Sequence, residues 1–301
     1  MATGRTKPKI AISVGDPGGI GPEITRAALA QASVKPLGEF VVFGETCKAY
    51  PASPTAEGGR QSIDAVRGAI DAVKAGLADA IVTGPISKEA WHAAGITRWP
   101  GHTELLAEAF ASPASGMLFV GPRLRVMLAT VHMPLREVPG AITPGGVYEK
   151  ILLGQHACVD LGIARPRIAV AGINPHAGEG GLFGDEDARL IAPAVARARA
   201  EGVDVHGPLP GDAVFNAAAG GAYDLVVAMY HDQGLIPVKL LDGRSAVNMT
   251  VGLRWGGRTV VRTSPAHGTA FDIAGTGRAD ATSMVCAIRL AVEMVLGARG
   301  W

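Results

Sequence analysis

KIAISVGDPGGIGPEIT, residues 9–25, sets an apolar run, a glycine-rich turn and a helix start side by side. KIAISV has the continuous apolar character of a strand buried on both faces. PEITRAALAQA reads as a helix, with Pro22 near its first position and Glu23 in its first turn. A first-turn backbone N–H has no partner within the helix, so proline costs little there, and a carboxylate suits the positive end of the helix dipole. The unit then recurs down the chain. EFVVFG, ADAIVTG, MLFVG, RVMLATV, RIAVAGI and DLVVAMY read as strands, and SAVNMTVG and RTVVRTS as two more. Between them lie helices over SIDAVRGAIDAVKAG, LLAEAF, GGVYEKILLGQHACVDLG and DEDARLIAPAVARARAEG, with a closing helix around 281–297. PASPTAEGG, residues 51–59, is expected to be a loop. Buried strands alternating with amphipathic helices imply an α/β fold, a largely parallel sheet covered by helices on both faces.

Composition bounds the function. The 301 residues suggest about two domains at roughly 100–200 residues each. Hydrophobic residues make up 48% and charged residues 18%, so a large core is easily formed. The 41 glycines cluster after apolar runs, as tight strand-to-helix turns require. Net charge is +1 with no basic stripe, which argues against nucleic acid and anionic membrane as partners. Cys47, Cys158 and Cys286 are far apart and odd in number, as reduced cysteines of a cytosolic protein would be. MATGRTKPK lacks the apolar stretch of a signal peptide. SMVCAIRLAVEMVLGA is broken by Arg289 and Glu293, so it reads as an amphipathic helix rather than a membrane span. A soluble, cytoplasmic protein is expected.

The opening turn resembles a nucleotide-binding turn but departs from it. A dinucleotide fingerprint needs G-x-G-x-x-G followed by an acidic residue about 20 positions on. Gly15, Gly18 and Gly21 give G-x-x-G-x-x-G instead, although Glu45 stands where a ribose ligand would. Pro17 and Pro22 remove N–H groups that a phosphate cradle would use. The turn remains a candidate to present Asp16 and nearby N–H groups to a ligand.

Three histidines share one context. His132 ends RVMLATVH, His176 follows RIAVAGINP, and His231 ends DLVVAMYH. Each comes directly after a buried-type strand, and ligands of open α/β sheets bind at the carboxyl ends of strands. Three imidazoles delivered to that edge suit a catalytic zinc with an open position, or cobalt, iron or nickel. NPHAGEGGLFGDED surrounds His176 with flexible backbone and with Glu179 and Asp185 to Asp187. HDQGLIPVK places Asp232 beside His231 and carries Lys239. GHTE sets His102 and Thr103 at a helix start, where free N–H groups favour anions. Asn248, Arg262 and Lys239 offer donors and positive charge for a phosphate or carboxylate. SPAHGTAFDIAGTGRAD, residues 264–280, is a second glycine-rich turn, suited to a helix cap or to a loop over an adenine and ribose.

VGDPGGIGPE, GHTE, VHMPL, INPHAGEGGLFGDED, MYHDQGLIPVK, RTS and HGTAFDIAG occur in the order seen in the 4-hydroxythreonine-4-phosphate dehydrogenase family of vitamin B6 biosynthesis, which the chain resembles over nearly its whole length. The resemblance implies two α/β/α lobes with a cleft between them, as in isocitrate and isopropylmalate dehydrogenases. The first lobe is expected over 1–120 plus 270–301, and the second, with metal and dimer contacts, over 121–269. It implies a homodimer with the active site at the subunit interface and one divalent metal ion per subunit, zinc, magnesium or cobalt, on His132, His176 and His231 drawn from both subunits. It places substrate on His102, Thr103, Lys239, Asn248 and Arg262. It gives NAD or NADP to the loop of His267, Gly268, Thr269 and Asp272. The implied reaction oxidises the C3 hydroxyl of 4-phosphooxy-L-threonine and then releases CO₂, leaving 3-amino-2-oxopropyl phosphate. Asp232 and Lys239 are the candidates for the base.

Departures from the family pattern open alternatives. NMTVGLRWGGRTVVRTS is about five residues longer than the usual segment, lacks its proline, and adds Arg254 and Arg258. Ala266 stands where the family commonly has aspartate, and the chain is short around 45–60. These changes leave open a four-carbon sugar-acid phosphate or an aromatic dihydrodiol dicarboxylate as substrate. A three-histidine metal hydrolase, an acyltransferase acting on phosphate, and a non-enzymatic binding module are the readings from other classes.

Overall fold

A computed structural model describes residues 7–46 and 50–297. Cys47 lies outside the described residues. The chain forms two compact units. One runs through Pro113 and resumes at Val247, and the other is Ala114–Ala246.

The first unit opens with β1 (Lys9–Ser13), α1 (Gly21–Ala30), β2 (Glu39–Phe43), α2 (Ala56–Lys74), β3 (Ala80–Thr83), α3 (Lys88–Ala93) and α4 (His102–Ala109). The second holds β4 (Gly116–Val120), β5 (Arg125–Leu128), α5 (Val138–Ala141), α6 (Pro144–Asp160), β6 (Ile168–Ala171), α7 (Ala192–Ala200), β7 (Val205–Leu209), α8 (Gly211–Ala219), β8 (Leu225–Ala228) and α9 (His231–Asp242). The first unit then adds β9 (Val247–Val251), β10 (Arg254–Trp255), β11 (Arg258–Thr259), β12 (Val261–Pro265) and α10 (Thr282–Leu296). Residues 247–269, expected in the second lobe, thus belong to the first, because β12 hydrogen-bonds to β3.

In the first unit the strand order is β2-β1-β3-β12-β9. β1, β2, β3 and β12 run parallel, and β9 is antiparallel to β12. Ala11 and Ile81 lie opposite each other in register and share a core cluster with Ile63, Val66, Trp91, Leu105 and Leu106 of α2, α3 and α4. Side chains alternate across a strand, so Ile10, Ile12 and Val82 face the other side. α10 packs on that side, where Thr263 Oγ1 donates to Ala287 O at 2.8 Å. In the second unit the order is β4-β5-β8-β6-β7, with β5, β8, β6 and β7 parallel and β4 antiparallel to β5. The α/β expectation therefore holds in each unit.

Some elements were not legible locally. The expected loop 51–59 ends in the first turn of α2, because Thr55 caps that helix and its Oγ1 accepts the N–H of Gly58. β7 is short, carries Pro208 and forms the sheet edge, the position where a strand proline is tolerated. α9 contains Pro237, which masks its helical pattern. Cys158 is fully buried, and burial pushes its thiol up to about 12. Among the described residues, no helix is long and apolar enough to cross a membrane.

The longer segment after β9 is a two-stranded hairpin, β10–β11. Its turn residues Gly256 and Gly257 have φ of 55° and 78°, as a type I′ turn requires. Val261 pairs with Ala80, the first residue of β3, so the hairpin lies at the amino end of β3. Lys74 Nζ sits 4.7 Å from the Trp255 ring centroid, and Phe110 meets that ring edge-on. Trp255→Ala is expected to lower stability by about 1–2 kcal/mol, the usual scale for an aromatic–cation and aromatic–aromatic cluster at a partly exposed site. Urea denaturation checks this.

Candidate active site

In the first unit the site is built on one sheet face. Arg262 lies opposite Ile81 in β3 and opposite Thr250 in β9, so its side chain emerges on the face covered by α2, α3 and α4. Asn248 and Thr250 share that face by alternation along β9. Arg262 is 2% exposed. Its guanidinium donates to Thr250 Oγ1 at 3.0 Å and to Thr83 Oγ1 at 2.6 Å. Its Nε has no partner, and among the described residues no carboxylate pairs with it. Burial pulls its pKa down to about 9, with the charge of Glu104 opposing the shift.

His102 opens α4 and meets the Trp91 ring edge-on, with centroids 5.9 Å apart. Burial, and secondarily the Arg262 charge, hold its pKa well below 6.5, so the imidazole is neutral. His102 Nε2 and Asn248 Oδ1 are buried without partners. Three buried polar atoms, on His102, Asn248 and Arg262, are thus unsatisfied by the protein. Buried polar groups ordinarily have partners, so such a cluster marks where a polar ligand supplies them. Thr103 follows on α4 and is half-buried.

The neutral His102 carries a pH prediction. A histidine whose folded pKa lies below its unfolded value of 6.5 binds fewer protons folded than unfolded in that window. Stability is then lost as pH falls below 6.5. The melting temperature of the parent should fall more steeply between pH 7 and 5 than that of His102→Gln. Parallel curves would show that His102 does not contribute.

The opening turn directs backbone N–H groups at partners within the fold. The N–H groups of Asp16, Gly18, Gly19 and Ile20 bond to Pro85 O, Asp16 Oδ1, Asp16 O and Thr269 O. These four are therefore not free for a ligand. Its glycines serve close approach instead: a Cβ on Gly15, which has φ +85°, would stand 2.2 Å from Pro85 O, and one on Gly21 would stand 2.0 Å from Val14 O. Asp16, expected to face a ligand, is fully buried, and burial raises its pKa.

The same turn anchors the second glycine-rich loop. Thr269 O accepts from Ile20 N at 2.9 Å, and Glu23 Oε2 accepts from Gly275 N at 2.9 Å. A cavity of about 200 Å3 opens between them, lined by Pro17, Gly19, Glu23, Ala274 and Gly275 among others. His267, Gly268 and Asp272 are exposed and Thr269 is half-buried. Ala266 N donates to Ser283 Oγ of α10.

In the second unit the three histidines follow the adjacent parallel strands β5, β8 and β6. The His132 and His231 rings lie 5.4 Å apart, centroid to centroid, and border a cavity of about 410 Å3. His231 Nδ1 is 2.7 Å from Asp232 Oδ1. A ring N–H held by a carboxylate leaves Nε2 for a metal, the usual arrangement around ligating histidines. His176 borders a separate cavity of about 710 Å3 with Asn174, Asp212, Phe215 and Leu240, and its ring lies near Phe183. Tyr230 and Asp232 line both cavities. Among the described residues, no three His, Cys, Asp or Glu side chains of the single chain form a metal-binding group. The expected three-histidine set is therefore brought together only as a pair.

His176, Ala177, Gly178, Glu179 and Gly180 all have positive φ, a continuous left-handed turn. Such backbone is costly for residues with a Cβ and persists where the surroundings dictate it. Here Asp187, buried to 1% exposure, accepts the N–H groups of Ile173 and Asn174, and Glu186 accepts from the Asn174 amide. Lys239 is exposed on α9.

Thr83, Thr250, Trp91 and Gln233 escaped the sequence reading. The threonines read as ordinary strand residues, and Trp91 lies in α3, a stretch to which the sequence reading assigned no element. Only Gln233 carried a signal, since it lies inside HDQGL. Arg254 and Arg258, expected near the substrate pocket, are exposed on the hairpin at the amino end of β3, whereas Thr83 marks its carboxyl end.

Comparison with known proteins supplies the remaining finding. A family model described as "Pyridoxal phosphate biosynthetic protein PdxA" matches residues 22–291. The chain is 44% identical to a 4-hydroxythreonine-4-phosphate dehydrogenase of Geobacter metallireducens, over 96% of each chain. That alignment spans 331 positions, more than the 301 residues here, so the relative carries segments this chain lacks. A D-threonate 4-phosphate dehydrogenase of Cupriavidus necator is 42% identical over 95% of this chain and 97% of its own. The crystal structure of a 4-hydroxythreonine-4-phosphate dehydrogenase from Klebsiella pneumoniae matches with a TM-score of 0.83 at 38% identity, over 96% of this chain and 100% of its own. An isocitrate dehydrogenase from Methylococcus capsulatus, at 14% identity and a TM-score of 0.54, shares the fold.

Proposed function

The chain belongs to the pyridoxal phosphate biosynthetic PdxA family and is an oxidoreductase, and we propose that it oxidises 4-phosphooxy-L-threonine at C3 and decarboxylates the product. The observation that carries this reading is the buried Arg262 guanidinium, without a carboxylate, beside the unsatisfied atoms of His102 and Asn248. A small substrate with an anionic group for the guanidinium and a hydroxyl or ammonium donor for the Asn248 amide oxygen satisfies all three. A guanidinium matches a carboxylate or phosphate with two parallel hydrogen bonds, and burial strengthens them.

Arg262, preset by Thr83 and Thr250, holds the anionic group. Neutral His102, Thr103 and Asn248 orient the hydroxy-amino-acid portion, and Lys239 adds positive charge. Asp232, which keeps a second carboxylate oxygen beside the one engaged with His231, takes the hydroxyl proton, since a charged Lys239 ammonium cannot accept one.

A divalent metal fits the donors present: two imidazoles 5.4 Å apart, one of them oriented by a carboxylate. We assign it to His132 and His231 of one subunit with His176 of a second copy. Exposed Met133, Leu135, Leu182, Phe183, Ile236 and Leu240 give the second unit the apolar surface that an obligate homodimer buries. The metal, zinc, magnesium or cobalt, when bound supplies Lewis-acid polarisation of the oxygen being oxidised. NAD or NADP fits the exposed polar loop of His267, Gly268, Thr269 and Asp272, which is pinned to the opening turn, and when bound it accepts the hydride.

The test is formation of reduced nucleotide with a panel of 4-phosphooxy-L-threonine, D-threonate 4-phosphate and an aromatic dihydrodiol dicarboxylate. The expected result is a kcat/KM at least tenfold higher for the first, with CO₂ released. Preference for D-threonate 4-phosphate would move the assignment to the sugar-acid branch. No nucleotide reduction with any of the three would overturn it.

A further inference from the structure

Gln233 directly follows His231 and Asp232, yet its side chain engages the strand ends rather than the cation site. Its Oε1 accepts the N–H of Met229, the residue after β8, at 2.6 Å. Its Nε2 donates to Gly172 O, directly after β6, at 2.7 Å. Both ends of one amide are therefore used, and only that orientation satisfies an N–H at one end and a carbonyl at the other. Met229 O in turn accepts from Thr130 Oγ1 at 2.7 Å and from Thr130 N at 3.2 Å. Thr130 lies two residues before His132, and Met229 two residues before His231.

The bridge reaches the third loop through Gly172. A Cβ on Gly172 would stand 2.6 Å from Asp187 Oδ1, so this carboxylate packs against the bridged residue. The same carboxylate accepts from Ile173 N and Asn174 N, fixing the backbone that leads to the left-handed turn at His176. One connected chain of hydrogen bonds and close packing thus runs Thr130–Met229–Gln233–Gly172–Asp187. It ties together the ends of β5, β8 and β6, from which His132, His231 and His176 depart.

We propose that Gln233 is a positioning residue that fixes the strand ends from which His132, His231 and His176 depart, the first two toward the divalent cation of their own subunit and the third toward that of the second copy, and so tunes affinity for that cation. This rests on the assignment of the metal to those histidines. Displacing a donor by a fraction of an ångström degrades a coordination site, because ligands bind only near a preferred geometry. The glutamine amide offers an acceptor and a donor on the same carbon at this reach from the backbone. Glutamate preserves the shape but sets an oxygen without a proton against Gly172 O. Leucine preserves volume and offers neither.

Cobalt(II) titration of the metal-free homogeneous protein, followed by its visible absorption, tests this. The expected result is a Kd weakened about tenfold or more in both Gln233→Leu and Gln233→Glu, the scale seen when groups supporting metal ligands are removed. Metal-free melting should fall by only a few degrees, as loss of a side-chain bridge implies. Faster exchange of the Met229 amide in Gln233→Leu, and protection retained in Gln233→Glu, which keeps the acceptor but loses the donor to Gly172 O, shows which half of the bridge each variant breaks. Trp255→Ala, destabilised in the other unit, serves as control and should bind cobalt as the parent does. Parent-like cobalt affinity in both Gln233 variants, with the Met229 amide exposed in Gln233→Leu, overturns the positioning role and leaves the metal assignment standing. Equal weakening in Trp255→Ala also overturns it, by making the loss one of general stability. A parent that binds no cobalt overturns the metal assignment and the role of Gln233 with it.

Discussion

Arg262→Met should lower kcat/KM by about a hundred- to a thousandfold without lowering the melting temperature of the ligand-free protein at pH 7. The two halves of that expectation have one cause. The guanidinium is removed from water with two threonine hydroxyls as partners and no carboxylate. Such a charge is expensive to bury unless paired, and an apolar side chain of similar volume removes that expense. In the proposed function the substrate anion is that partner, and loss of a buried charge partner at a binding site costs about 2–5 kcal/mol. Alkaline pH supplies a second reading. With a folded pKa of about 9, well below that of the free group, the unfolded chain holds more protons above pH 9. Parent stability should therefore rise relative to the methionine variant as pH passes 9, and the difference should be flat below it. Melting curves at pH 7.5 and 10 decide the matter. A variant that melts well below the parent at both values, with activity intact, would make Arg262 structural.

His231→Ala should abolish tight cobalt binding and reduce kcat/KM by roughly a thousandfold or more, the scale expected when a Lewis acid worth several kcal/mol is lost. His132 alone is then a single imidazole, and Asp232 loses the ring it orients. The effects of His132→Ala and His231→Ala should not add, since either one dismantles the same centre. A chelator should inactivate the parent and leave the double variant unchanged. Additive losses, or full sensitivity of the variants to chelator, would place the metal elsewhere.

The alternation of buried strands with helices was enough to read the α/β class, because burial on both faces leaves an unbroken apolar run that local composition shows. It was also enough to place the histidines after strands, and the resemblance read from HDQGL, NPHAGE and HGTA fixed the family. The hairpin at 254–259 was visible only as extra length. Its position at the amino end of β3 depends on the pairing of Val261 with Ala80, which no local pattern encodes. The opening turn was half legible: its prolines already argued against a phosphate cradle, but the internal use of its N–H groups required the folded partners Pro85 and Thr269.

By itself the sequence determined which chemical groups this protein owns and which strands deliver them. Tertiary structure decided which of those groups meet. It paired His132 with His231, and it set His176 on a separate cavity behind a left-handed turn. It chose Arg262 over Arg254 and Arg258 by burying one guanidinium and exposing two. The reason is physical. Residue type and period are local, but desolvation, hydrogen-bond satisfaction and charge pairing depend on neighbours that the sheet order brings from 60 to 180 positions away, as the bonds from Gln233 to Gly172 and from Arg262 to Thr83 show.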